Sequence, residues 1–132
     1  AWPLRQDPRV VVIERANIRT IDPARLPDPV DLVTIDTSFI SLKLVVPATL
    51  RFIKSGGIIL ALIKPQFEAG RGRVGKGGVI RDRGFQAEII DNLVRFFSQR
   101  GLVCGPVTPS PIAGPKGNQE FIILLRPPDS DL

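Results

Sequence analysis

A chain of 132 residues has room for one domain with a real core, and its 43% hydrophobic and 23% charged residues are the proportions of a folded protein, not of a disordered tail. Lys and Arg outnumber Asp and Glu by 18 to 13, and the resulting net charge of +5 favours phosphates or an anionic surface as partners. With no histidine and a single cysteine, Cys104, the chain excludes paired Cys and His metal sites, a Ser-His-Asp triad and an internal disulfide, so no metal site is expected.

The lone thiol reads as a core residue. The start of the chain lacks a basic segment followed by an apolar run, which together with the single cysteine points to a reducing cytoplasm. The longest uninterrupted apolar stretch, Ile58 to Ile63, is far below the roughly 18 residues of a membrane span, so no membrane partner is expected.

In chain order, Val10 to Ile13 is a β-branched block, too short for a helix and too apolar for an exposed strand, and predicts a buried strand. Asp22 to Pro29, rich in Pro and Asp, predicts a connection. Asp31 to Asp36 (DLVTID) predicts a parallel strand that delivers a carboxylate to its C-terminal end. Leu42 to Lys54 has helical composition, with Pro47 predicting a restart and Ser55-Gly56-Gly57 a helix end. Ile58 to Ile63 predicts the next buried strand, which ends at Lys64-Pro65. Phe85, Ile89, Ile90, Leu93, Val94, Phe96 and Phe97 recur at helical spacing and predict a helix to Arg100, capped by Asp82 and ended by Gly101. Leu102 to Val107 and Phe121 to Leu125 predict two strands that pair antiparallel, because no helix fits in the Pro- and Gly-rich loop between them. Strands alternating with helices and closing in a hairpin imply an α/β open sheet, whose ligands collect beyond the carboxyl ends of its strands.

The run Gly70-Arg71-Gly72-Arg73-Val74-Gly75 matches G-x-G-x-x-G, and Gly70 to Lys76 matches G-x-x-x-x-G-K. Neither nucleotide motif survives its context. Pro65 to Ala69 separate the glycines from the preceding strand, and Gly stands at position 77 where a phosphate loop needs Ser or Thr. The alternatives are a solvated loop without a partner and a segment whose Arg71, Arg73, Lys76, Arg81 and Arg83 close over an RNA backbone.

Asp36, Lys64 and Glu120 each stand at the end or start of a predicted core strand. Three charges converging on one crevice form either a structural ion-pair network or an acid-base site acting on a hydroxyl. In the second case a lysine flanked by carboxylates holds a ribose 2′-OH and accepts its proton, with positioning supplying several kcal/mol of barrier reduction.

Taken together, Asp7 to Asn17 (DPRVVVIERAN), Val30 to Leu42 (VDLVTIDTSFISL), Ala61 to Gly70 (ALIKPQFEAG), Val74 to Asp82 (VGKGGVIRD) and Thr108 to Phe121 (TPSPIAGPKGNQEF) resemble the haemolysin-A-like (TlyA) branch of the FtsJ-type RNA ribose methyltransferases. The resemblance implies an S-adenosylmethionine-dependent 2′-O-methyltransferase acting on RNA, in particular ribosomal RNA, with a Rossmann-like open sheet. That family uses a Lys-Asp-Lys-Glu tetrad whose last three members fall on Asp36, Lys64 and Glu120. Its first lysine, its glycine-rich cofactor turn, its first two strands and its N-terminal S4 RNA-binding module have no counterpart here, so the resemblance implies a partial domain over 1–132, inactive alone. Glu14 or Asn17, at the end of the first strand here, is then expected to meet the cofactor's adenine edge. A non-enzymatic RNA binder using the 70–83 loop is the competing function, and a membrane-damaging toxin, suggested by the family's name, is a third.

The family's sheet order, 3-2-1-4-5-7-6, would leave Val10 to Ile13 two vacant strand positions, roughly 14 Å, from Asp31 to Asp36. Exposed apolar edges favour pairing. The expectation is therefore that Val10 to Ile13 moves beside Asp31 to Asp36 or pairs with another chain, a route to self-association.

Overall fold

The fold was obtained as a computed structural model, which describes residues 2–26, 28–70, 74 and 76–128. A short helix, α1 (Trp2–Gln6), comes first, and a single 3-10 turn at Pro23–Arg25, capped by Asp22, follows within the predicted connection. Strand β1 (Val30–Ile35) then enters the core at Ile35, which is buried.

Ser41 opens α2 (Leu42–Thr49) by accepting the Lys43 N–H at 3.0 Å, and Leu42, Val45, Val46 and Thr49 form its buried stripe. No restart occurs at Pro47, which sits inside this two-turn helix. The ring removes one N–H, and in a helix this short that loss does not stop the turn from closing at Leu50, whose N–H reaches the Pro47 carbonyl.

Strand β2 (Ile53–Ile63) starts five residues earlier than Ile58, so Ser55-Gly56-Gly57 lies inside a strand and not at a helix end. Pairing jumps from Val30↔Ile53 to Leu32↔Ile58, and Gly56 absorbs the irregularity at φ +82°. A Cβ at Gly57 would fall 2.5 Å from Ile53 Cγ1, which explains the second glycine.

One turn, α3 (Pro65–Glu68), follows β2 directly. The long helix α4 (Arg83–Gln99) is capped as expected by the Asp82 carboxylate, which accepts from Gly84 N–H at 2.8 Å and Phe85 N–H at 3.2 Å. Ile89, Leu93 and Phe97, four residues apart, are its fully buried apolar positions, and Gly101 follows at φ +83°. Strands β3 (Val103–Pro109) and β4 (Phe121–Arg126) pair antiparallel, as predicted.

The sheet has the order β1-β2-β4-β3, with β1 parallel to β2 and the other two pairings antiparallel. This mixed α/β open sheet reproduces the 4-5-7-6 part of the expected order. Helices α2 and α4 cover the face that carries Ile59, Ala61, Ile63, Ile123 and Leu125. Leu60, which alternates with them, is 37% exposed on the opposite face. Cys104 is half-buried against this core, near the Val94 carbonyl.

The segment Val10 to Ile13 corrects the sequence reading. It is not a strand, Val11 and Val12 are 53% and 42% exposed, and the sheet partner of β1 is β2 and not this block. A β-branched run has the propensity for a strand but becomes one only when a neighbouring edge pairs with its backbone.

These burials make a paired prediction for denaturant unfolding. Leu93→Ala, at a site 1% exposed, should cost about 2–5 kcal/mol, whereas Val11→Ser should stay within about 0.5 kcal/mol of the parent. A large loss at Val11 would restore the buried-strand reading.

Candidate active site

Parallel β1 and β2 run to the same edge of the sheet, and antiparallel β4 begins there. Asp36 follows β1, Lys64 follows β2 and Glu120 precedes β4, so the topology delivers all three to one edge. Lys64 and Glu120 occupy the rung next to the Ile63↔Phe121 pair.

Lys64 Nζ lies 2.5 Å from Asp36 Oδ1 and donates to Ser38 Oγ at 3.2 Å. The lysine side chain is 10% exposed and the aspartate 70%, so the ammonium forms the floor of the site and the carboxylate its rim. Glu120 is buried, and its Oε2 has no hydrogen-bond partner. A Cβ on Gly114 would sit 2.2 Å from that oxygen, so glycine at 114 is what lets the loop close over the carboxylate.

Unpartnered buried side-chain oxygens among the described residues are Thr37 Oγ1, Gln66 Oε1 and Glu120 Oε2. Thr37 follows Asp36 and Gln66 lies two residues past Lys64, so these atoms gather at the ends of the three strands that carry the charges. Buried polar atoms without partners are rare in folded chains, and their grouping marks a place built for something other than stability.

A cavity of about 280 Å³ opens beside this edge, with Ser38, Phe39, Gln66, Phe67, Lys116 and Asn118 in its wall. Phe39 is 88% exposed, has φ +63°, and sets its ring 4.7 Å from that of Phe67. A bulky residue in the left-handed region, projecting an aromatic ring into solvent, is strained without any gain to the core. Lys116, also at positive φ (61°), adds an exposed cation. The sequence reading assigned neither residue a role, because isolated exposed side chains leave no periodic signal.

Two ties hold the surrounding loops. The Asn118 side chain accepts the Ile80 N–H at 3.0 Å and donates to the Gly78 carbonyl at 2.9 Å, while Gln86 donates to the Ile80 carbonyl at 3.0 Å. Glu68 accepts the Ser41 hydroxyl at 2.5 Å and the Leu42 N–H at 2.8 Å.

Of the basic residues expected to meet RNA, Arg81 and Arg83 are exposed, with Arg83 opening α4. Lys76 begins a 3-10 turn, and Arg71 and Arg73 lie outside the described residues. Glu14 is exposed and paired with Arg5, while Asn17 accepts the Arg19 N–H in a local turn. Asp36, Lys64 and Glu120 stand together at one edge of the sheet.

Burial pushes the Glu68 carboxyl above its ordinary value, against the lowering effects of the Ser41 and Leu42 hydrogen bonds and the Lys43 charge. A carboxyl whose folded value is raised contributes stability in acid that is lost as pH rises through that value. Glu68→Gln should therefore be more stable than the parent at neutral pH, and the difference should vanish below the unfolded value near 4.5. Denaturant unfolding at the two pH values measures this, and a gap that widens in acid would contradict it.

The sequence profile of the FtsJ-like methyltransferase family matches residues 1–127. The chain is 44% identical over 126 residues to the 16S/23S rRNA (cytidine-2′-O)-methyltransferase TlyA of Mycobacterium tuberculosis, a match covering 96% of this chain and 47% of the relative. It is 38% identical over 122 residues to Hemolysin A of Brachyspira hyodysenteriae, covering 92% of this chain and 51% of that one. Among solved structures, "Putative hemolysin from Streptococcus thermophilus" superposes with a TM-score of 0.90 at 35% identity, covering 99% of this chain and 49% of the other. The chain thus spans about half the length of the curated relatives it matches. The shared fold and the match across nearly every residue establish that the chain belongs to the FtsJ-like methyltransferase family.

Proposed function

We propose that this chain supplies the acceptor side of an S-adenosylmethionine-dependent ribosomal RNA 2′-O-methyltransferase, with Asp36, Lys64 and Glu120 as its catalytic residues. The carrying observation is the nearly buried Lys64 ammonium held by Asp36 and Ser38, at an edge where Thr37, Gln66 and Glu120 each leave a buried oxygen unpartnered. An ammonium has three N–H donors, and two are directed at these partners, so the third is suited to a substrate hydroxyl.

Methyl transfer to a hydroxyl needs an oriented oxygen and an acceptor for its proton. Once that third proton has passed to solvent, the Lys64 nitrogen turns its lone pair to the hydroxyl and takes its proton, and Asp36, 2.5 Å away, stabilises the ammonium that results. Glu120, enclosed by the loop at Gly114, adds a second carboxylate to the same edge. S-adenosylmethionine supplies the electrophilic methyl group when bound.

The substrate reading follows from the cavity wall. The Phe39 and Phe67 rings offer a stacking surface for an unpaired base beside the lysine, and Lys116, Arg81 and Arg83 offer cations to its phosphates. Recognition of an unpaired nucleotide together with its 2′-OH selects RNA over DNA. The TlyA relative is named for that chemistry on ribosomal RNA. Among the described residues no helix is long and apolar enough to cross a membrane.

In the full-length protein, Lys64→Ala and Asp36→Asn should each lower the rate of labelled-methyl transfer to ribosomal RNA by about 10²-fold or more. RNA affinity, read by filter retention, should fall by no more than about tenfold, well short of the loss in rate. Parental turnover in either variant would remove the residues from the chemistry.

A further inference from the structure

We infer that Glu68 is a positioning residue for RNA binding: by holding Ser41 and the Leu42 amide it fixes the Phe39 corner against Phe67, and so shapes the wall that receives the target base. This inference rests on the methyl-transfer reading and adds to it a residue outside the charged triad.

Two segments form the aromatic side of the wall, residues 36–41 after β1 and residues 64–68 after β2. At their near ends they are tied by the Asp36–Lys64 pair. At their far ends the Glu68 carboxylate ties them again, with Oε1 taking the Ser41 hydroxyl at 2.5 Å and Oε2 the Leu42 N–H at 2.8 Å. The Phe39 and Phe67 rings touch between these two ties.

Phe39 is the residue that needs such a bracket. Its backbone is in the left-handed region at φ +63°, and with 88% of its surface exposed it has no core packing to hold it there. A strained conformation persists only where its surroundings over-determine it. Ser41, two residues along, is held by Glu68 while its own Oγ caps α2. Glu68 is itself next to Phe67 in the chain, so one side chain fixes both sides of the aromatic contact.

A residue that only capped α2 would change stability and nothing else. In the full-length protein, Glu68→Ala should instead raise the KM for ribosomal RNA about tenfold and leave kcat within about twofold. Glu68→Gln, whose amide can accept from Leu42 and donate to Ser41 Oγ, should restore the parental KM. In a Phe39→Ala background, Glu68→Ala should add no further increase, because its effect passes through that ring.

Amide hydrogen exchange over residues 38–42 supplies a readout that needs no turnover, and Glu68→Ala should speed it. Ser41→Ala serves the same comparison should Glu68→Ala fail to fold. An unchanged KM, increments that simply add in the double variant, or unaltered exchange would overturn the positioning role. Absence of methyl transfer by the parent would instead defeat the enzymatic reading, and the exchange result would still decide whether the clasp exists.

Discussion

The contact between Lys64 and Asp36 is the one on which the rest of the site depends. A lysine so nearly buried would be costly alone, and it is tolerated because a carboxylate lies 2.5 Å away and a serine hydroxyl accepts a second hydrogen bond. The pair forms because β1 and β2 are parallel and end together, which is also where antiparallel β4 begins. Topology therefore collects charges that are far apart in sequence.

Around that pair the chain departs repeatedly from what stability alone would select. Phe39 is bulky, exposed and left-handed, Glu120 keeps a buried oxygen unpartnered, and Gly114 leaves room for that oxygen where any Cβ would collide. The Glu68 carboxyl is desolvated to bridge two loops. Away from this edge the fold is regular, with the apolar stripes of α2 and α4 on one sheet face. The contrast between an ordinary core and one irregular edge is what supports placing the proposed chemistry there.

Much of this was legible in the residues. The helix through Phe85 to Arg100 announced itself by spacing and by Asp82, and the short apolar runs ending in Asp36 and Lys64 showed both the strands and their charged tips. Three features were not. Val10 to Ile13 has the propensity of a strand, but pairing depends on an available neighbour and not on propensity. Gly56-Gly57 reads equally as a helix end or a strand bulge, and the Val30↔Ile53 register settles it as the latter. The bridge from Glu68 to Ser41 spans 27 residues, a separation that no local pattern encodes. Phe39 was visible as a letter in a motif, yet its exposure and backbone angle belong to the tertiary structure.

The central claim is that Lys64, aligned by Asp36, grips one ribose hydroxyl, and it is tested most directly by changing that hydroxyl. Binding of a ribosomal RNA fragment to the full-length protein should weaken about tenfold when the target nucleotide is 2′-deoxy, a loss on the scale of one hydrogen bond to a charged group. In Lys64→Ala the two fragments should bind alike. A parent protein indifferent to the hydroxyl, or a variant that still discriminates, would contradict the account.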